Sequence, residues 1–400
     1  MFGSVYTGMS GLLTFSRGLD VISNNVANLN TPGHKGSDLL FQDIFYRYGL
    51  SGESGQFGLG SQIGNGVTGE RTSLRTSQGE IRETGNQTDA AIDGNGFFIL
   101  RKEGETTYTR AGQFEVDEQG YLVAQNSQAR VAGYQSGQLV DINISALRNS
   151  APSATTEIRL INNLSTGSAE HEISDVEVFD AIGGRHTLNL LFRNDNGIWS
   201  VEVTDENDEV VATGGEIRFQ GNGSPQEGAN TFTFDFSPEN VDTSRITLNF
   251  GEPGSFSSAT SFSSGASSDL AVESQNGFGN GALIELGFNR NGALTAEFSN
   301  GRSLEGTRIA LAWFQDLQSL RQIGGGLFVA DDNQEALIDA PGQGVMGELV
   351  GGSIELSNVD LTLEFTDLII MQRGFQGSSQ ILTVANEMMQ QLLDIGRGGR

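Results

Sequence analysis

The sequence predicts a mainly β fold with α-helical termini. Three observations carry this. Near each end, apolar residues recur at alternating three- and four-residue steps, the period of one helix face. Between the ends lie short alternating runs, such as WSVEV (199–203) and TFTFDF (231–236), which leave one face apolar as in a sheet packed on one side. Glycine reaches 55 of 400 residues against 6 prolines, without a collagen period. It therefore marks tight turns between strands.

The first helix is expected from about Val5 to Leu29. Its stripe is Val5, Met9, Leu12, Leu19, Ile22, Val26 and Leu29, with Ser16 in the one missing slot. Thr31-Pro32-Gly33 stops it. Gly3, Gly8, Gly11 and Gly18 each cost about 1 kcal/mol relative to alanine in a helix. Alone, this segment should be largely unfolded; it needs a partner surface, and its small residues let that partner come close. Asn24, Asn25, Asn28 and Asn30 crowd its end. C-capping accounts for Asn30 and explains the other three poorly. Amides on successive turns could instead lock neighbouring subunits by hydrogen bonds.

The C-terminal stripe is Leu361, Phe365, Leu368, Gln372, Phe375, Ser379, Leu382, Asn386, Met389 and Leu393. It predicts a helix of about 35 residues, roughly 50 Å long at 1.5 Å per residue. Polar residues in the seam trade stability for register. The final GRGGR reads as a frayed tail.

Between the helices, residues 91–100 (AIDGNGFFIL) read as strand, tight turn, strand. Residues 107–116 and 121–123 continue the theme around a turn at 117–120. TLNLLF (187–192) joins the two runs quoted above in a central β region. Residues 251–281 are dominated by serine and glycine and read as a loop or linker. Strand texture resumes at 282–288 and at 310–314.

The formal charge of −27 argues against binding nucleic acid or an anionic membrane. No apolar run is long enough to span a bilayer, so no membrane insertion is expected. The absence of cysteine removes disulfides, thiolate metal sites and cysteine nucleophiles. It suits a protein that must reach an oxidising space without cross-linking. The first residues, MFGSVYTGMSGLLTFSRG, lack the basic n-region of a secretory signal peptide.

His34, His171 and His186 form no H-E-x-x-H pair. GNGVTG (64–69) and GQGVMG (342–347) match the dinucleotide glycine pattern but do not lead from an apolar strand into a helix. No phosphate-binding G-K loop and no G-x-S-x-G elbow occur. The acidic stretches 205–209 and 331–335 lack the EF-hand glycine and read as solvated turns. No catalytic, cofactor-binding or metal-binding residue is assigned.

Four segments, in order, resemble the bacterial flagellar rod and hook protein family. ISNNVANLNTPGHKG (22–36) resembles its N-terminal signature. TDAAIDGNGFFIL (88–100) and residues 107–134 resemble its second and third motifs. Residues 351–395 are similar to its C-terminal helix motif. Together they cover roughly half the chain. The insertion after the third motif, and EIRLINNLS (157–165) within it, resemble the hook members rather than the shorter rod members.

The resemblance implies an organisation. Residues 1–30 and 354–400 would pair as a coiled coil. Residues 31–70 would be an irregular connector. Residues 71–140 with 282–353 would form a β-rich inner domain from both flanks, and 141–281 an inserted β-barrel or sandwich-like outer domain. It also implies a non-enzymatic subunit of the flagellar hook, exported without a cleaved signal peptide through the flagellar export apparatus. Its partners would be copies of itself, the distal rod, the hook cap and the hook–filament junction proteins. The polymer-interface candidates are Val5, Met9, Leu12, Leu19, Ile22, Asn24, Asn25, Val26, Asn28 and Leu29, with Leu361, Phe365, Leu368, Phe375, Leu382, Met389 and Leu393. Two alternatives stay open: a distal rod subunit of the same family, and a secreted β-rich glycan-binding or glycan-cleaving protein.

Overall fold

The structure, a computed structural model, describes residues 2–44, 46–48, 62–135, 137–331 and 334–397. Two long helices frame a chain of short strands: α1, Phe2–Ala27, and α2, Leu361–Arg397. α1 ends where Asn28 N turns back onto the carbonyls of Asn24 and Asn25. Gly33 then takes φ +69°, and a Cβ there would stand 2.3 Å from Ala111 N, so only glycine fits. α2 begins at a capping carboxylate: Asp360 Oδ1 accepts from Thr362 N at 2.7 Å, satisfying a free first-turn amide.

Contacts divide the chain into two compact units. The first comprises residues 1–145, 286–295 and 305–400; the second comprises 146–285 and 296–304.

In the first unit, both flanks of the chain build one β body. Ala90–Asp93 pairs antiparallel with Glu348–Gly351, and Ile81–Glu83 with Ser353–Glu355. Phe97–Lys102 pairs with Glu105–Thr109 across a turn at 103–104, while the turn expected within 91–100 links Ala90–Asp93 to Phe97–Lys102, two strands that pair with different partners. Leu311–Trp313 lies on the other edge of Phe97–Lys102. Phe97, Phe314 and Phe328 are the large side chains of this core, with ring centroids 5.4–6.1 Å apart in edge-on contacts.

Two expectations need correction. Residues 31–70 are not wholly irregular: Ser37–Asp43 pairs with Val67–Leu74, with a bulge between Leu40 and Gln42. Neither strand alternates cleanly, because the ribbon is held by α1 rather than by a sheet core. Thr14 Oγ1 bonds to Val67 O, and Arg17 donates to Gly69 O. The rest of that connector, residues 45 and 49–61, lies outside the described residues, as do Asp332, Asn333 and the last three residues of the tail.

The second unit is a two-sheet sandwich. One sheet is a meander of Glu170–Phe179, Arg185–Asp195, Ile198–Thr204 and Val210–Arg218. The other orders Thr231–Phe236, Ser244–Asn249, Glu157–Asn163 and Ala259–Thr260, with Ala271–Gln275 also on 157–163. Trp199, Phe192 and Phe250 are buried between them. The second correction falls here. Residues 251–281 are not a free linker, since they supply two of these strands and bury Ala259 and Leu270. Serine hydroxyls meet the backbone's needs: Ser268 Oγ accepts from Ser165 N, and Ser165 Oγ donates to Gly265 O. A serine-rich composition conceals such ordering.

Candidate assembly interface: the terminal helices

The helices pack against each other along a seam of small residues. Gly8 faces Ile381, Gly11 faces Ser378, Phe15 faces Gly374 and Gly18 faces Met371. The α2 number falls as the α1 number rises, so the helices run antiparallel. The approach is close. A Cβ on Gly11 would stand 2.6 Å from Ser378 Oγ, and one on Gly18 2.9 Å from Met371 Sδ. The glycines that weaken α1 in isolation are thus what lets α2 dock.

The seam is rotated by about one residue from the stripes read in the sequence. Among those candidates, Ile22 and Asn25 are buried; Val5, Leu12, Leu19, Val26, Asn28 and Leu29 are half-buried; Met9 and Asn24 are exposed. On α2, Leu368, Leu382 and Met389 are half-buried, while Leu361, Phe365, Phe375 and Leu393 are exposed. The buried α2 positions are instead Glu364, Ser378 and Ala385. A search for large apolar residues misses these; the signal for them is their seven-residue spacing, shared with Met371.

Each helix consequently keeps large apolar side chains that, among the described residues, no segment of the same chain covers. Tyr6, Met9 and Leu13 stand out on α1, and Leu363, Ile370 and Val384 on α2. Exposed apolar surface of this kind makes the pair a candidate interaction face.

At the body end of the helices lies a buried polar junction with two carboxylate centres. Glu364 is fully buried; Arg75 Nη1 donates to it at 2.5 Å and Asn25 Nδ2 at 3.2 Å. Arg75 also grips Asp38, and the hydrogen bond to Asp38 is the main reason its pKa is raised. Asn25 holds Ser37 by both backbone groups, donating to O at 2.9 Å and accepting from N at 3.0 Å. Asn24 and Asn28 bond to each other within the last turn of α1, so they act as local caps.

Glu355, also fully buried, accepts from Lys35 Nζ at 2.6 Å, Gly79 N at 2.9 Å and Arg110 Nη1 at 3.1 Å. Burial pushes both cations below their usual pKa, against the opposing pull of Glu355. Asn358 completes the junction, accepting from Gly36 N and donating to Arg75 O and Ser77 O. His34 is buried beside Lys35 in the chain, and burial lowers its pKa. Sequence reasoning missed Arg75, Arg110, Glu355 and Glu364, because their partners lie hundreds of positions away.

The remaining motifs acquire structural explanations. His171 Nε2 meets Leu270 O at 2.7 Å, and His186 pairs with Asp180 at 2.9 Å. Asp205 caps its own acidic turn, accepting from the amides of Asn207 and Glu209. Among the described residues, no group of three or more His, Asp or Glu could hold a metal ion. No described helix is long and apolar enough to cross a membrane.

Comparison with known proteins gives a consistent result. Family models match over four stretches: "Flagella basal body rod protein" at residues 5–35, "Flagellar hook protein FlgE/F/G D1 domain" at 91–159, "Flagellar basal body protein FlaE D2 domain" at 149–320, and "Flagellar basal body rod FlgEFG protein C-terminal" at 350–395. The chain is 28% identical to the flagellar hook protein FlgE of Treponema pallidum over 99% of its own length and 100% of the relative. It is 28% identical to that of Escherichia coli K12, covering 97% and 98%. It is 31% identical to that of Helicobacter pylori J99 over 72% of this chain and 42% of the relative. Among solved structures, the H. pylori hook protein FlgE2 aligns at 13% identity and a TM-score of 0.47, covering 67% of this chain and 98% of that one.

Proposed function

This chain belongs to the flagellar rod and hook protein family, and from that premise we propose how it works as a structural subunit of the bacterial flagellar hook. Copies of the chain polymerise through their terminal helices. The polymer is a curved, flexible tube that passes torque from the rotary motor to the filament. The observation that carries this reading is the apolar surface of α1 and α2 that the described residues leave exposed beside an already closed seam. One helix pair supplies both an internal contact and a face for neighbouring copies. Covering that face stabilises the polymer by about 25 cal/mol per Å² and offsets the entropy of ordering the ends.

In this reading the helices hold the polymer together. The acidic inserted sandwich resists mutual adhesion, so its contacts can slide as the tube bends. The subunit works outside the cell, after export through the flagellar apparatus, between the distal rod and the junction proteins and under the hook cap. It has no catalytic role. The relatives aligned over nearly its full length carry the hook name, which favours hook over distal rod.

Electron microscopy of the concentrated full-length chain tests this reading. Short curved tubes are expected, and none from a chain lacking residues 1–30. Tubes formed equally by the truncated chain would overturn the helix-based mechanism; straight rods would move the assignment to the rod.

A further inference from the structure

We propose that Asn25 and Glu364 form a register pin, fixing which turn of α1 lies against which turn of α2. The inference rests on the helix pair within one chain and not on the hook assignment.

Most of the seam holds the helices close without holding them in step. Gly8, Gly11 and Gly18 present no side chain that would lock into the facing helix, as knobs do in an ordinary coiled coil. The fit with most shape is Phe15 against Gly374, where a Cβ would meet the ring at 2.4 Å. Yet α2 offers a second glycine, Gly377, almost one turn further on, with open space beside it. A shift of one turn, about 5.4 Å, would carry Phe15 from Gly374 to the level of Gly377, where no side chain on α2 blocks it.

The polar junction does not tolerate that shift. Asn25 Nδ2 lies 3.2 Å from each oxygen of Glu364, while its two polar ends engage Ser37 N and O. Both Asn25 and Glu364 are buried, at 1% and 0% exposure, so water cannot replace a lost partner. Sliding α1 by one turn would break all of these contacts together. Arg75 ties Glu364 to Asp38, so the pin also sets the helix pair against the ribbon beginning at Ser37. A single polar pair in an otherwise smooth seam is a recognised device for specifying register.

The chain has no cysteine, so introduced pairs report without background. In the full-length chain, Gly11→Cys is combined in turn with Cys at 371, 375, 378, 382 and 385; position 374 is left as glycine because a Cβ there would meet Phe15. After mild oxidation, intrachain disulfides are mapped by peptide mass spectrometry. Ser378→Cys should dominate, because an added Cβ at Gly11 lies 3.4 Å from Ser378 Cβ, close to disulfide geometry. Adding Asn25→Ala leaves Glu364 paired with Arg75 but frees α1. The 375 and 382 products should then rise against the 378 product by about tenfold, the factor expected for one lost bond to a charged group. Glu364→Gln should spread the pattern in the same direction. Lys35→Met, which loosens the Glu355 centre and leaves the pin intact, should not. A pattern that stays centred on 378 in Asn25→Ala, with or without lower yield, overturns the proposal. So does equal spreading in Lys35→Met.

Discussion

Replacing Met9 and Leu13 by glutamine tests whether the free face of α1 drives assembly. Met9 is 59% exposed and Leu13 56% exposed, so neither contributes much to the folded chain. Glutamine matches both in helix propensity, so α1 itself should be unaffected. Fully burying such a side chain gains about 1.5–3 kcal/mol over leaving it exposed. A little over half of each surface remains to be covered, so polymer contacts there should contribute about 2–3 kcal/mol per subunit. At tenfold per 1.4 kcal/mol, the critical concentration for assembly should rise roughly 30- to 150-fold. Sedimenting polymer across a dilution series measures it. Ile182→Gln is the control, a 70% exposed residue of the inserted sandwich. A critical concentration within about threefold of the parent, or an equal rise in the control, would refute the reasoning.

Two further outcomes follow from the buried junction. Lys35→Met leaves Glu355 with Arg110 and the Gly79 amide, so the loss should be about 2–3 kcal/mol rather than that of an orphaned carboxylate. It should appear as a lower urea midpoint at unchanged slope, and adding Glu355→Gln should recover part of it. Burial holds His34 below its ordinary pKa of 6.5, so the unfolded chain takes up this proton first as pH falls. The contribution of neutral His34 is therefore complete above that value and is lost as pH drops through it towards the folded pKa. Hydrogen exchange over residues 31–36, corrected for intrinsic rate, should accelerate accordingly, and His34→Gln should abolish the acceleration. Acceleration that survives the substitution assigns the effect to another group.

The ends and the strands were legible in the sequence for different reasons. A three-four repeat and a two-residue alternation are local properties, so α1, α2 and runs such as 199–203 show in the text itself. Which helix face is buried is not local. The apolar stripes run through Met9, Phe365 and Phe375, whereas the internal seam uses Gly11, Gly18, Gly374 and Ser378. That choice is legible only once the partner helix is known to approach within contact of the glycines. The asparagine cluster, expected to lock neighbouring subunits rather than to cap, divides by role within one chain: Asn24 and Asn28 bond to each other in the last turn, and Asn25 bridges to Ser37 and Glu364. The ribbon at 37–43 and 67–74, and the strands within 251–281, stayed hidden because their hydrogen-bond partners come from distant sequence.

That distance has a kinetic meaning. Lys35 and Arg110 reach their shared carboxylate across 320 and 245 positions, and strands at 81–93 wait for partners at 348–355. Loop closure over such spans adds little to the final free energy, because its cost grows only logarithmically with length. It weighs far more on the rate, since non-local pairings form late. A chain emerging N-terminus first from any narrow passage would carry unsatisfied cations and open strand edges through most of its length. It would close the body only when its last segment arrived.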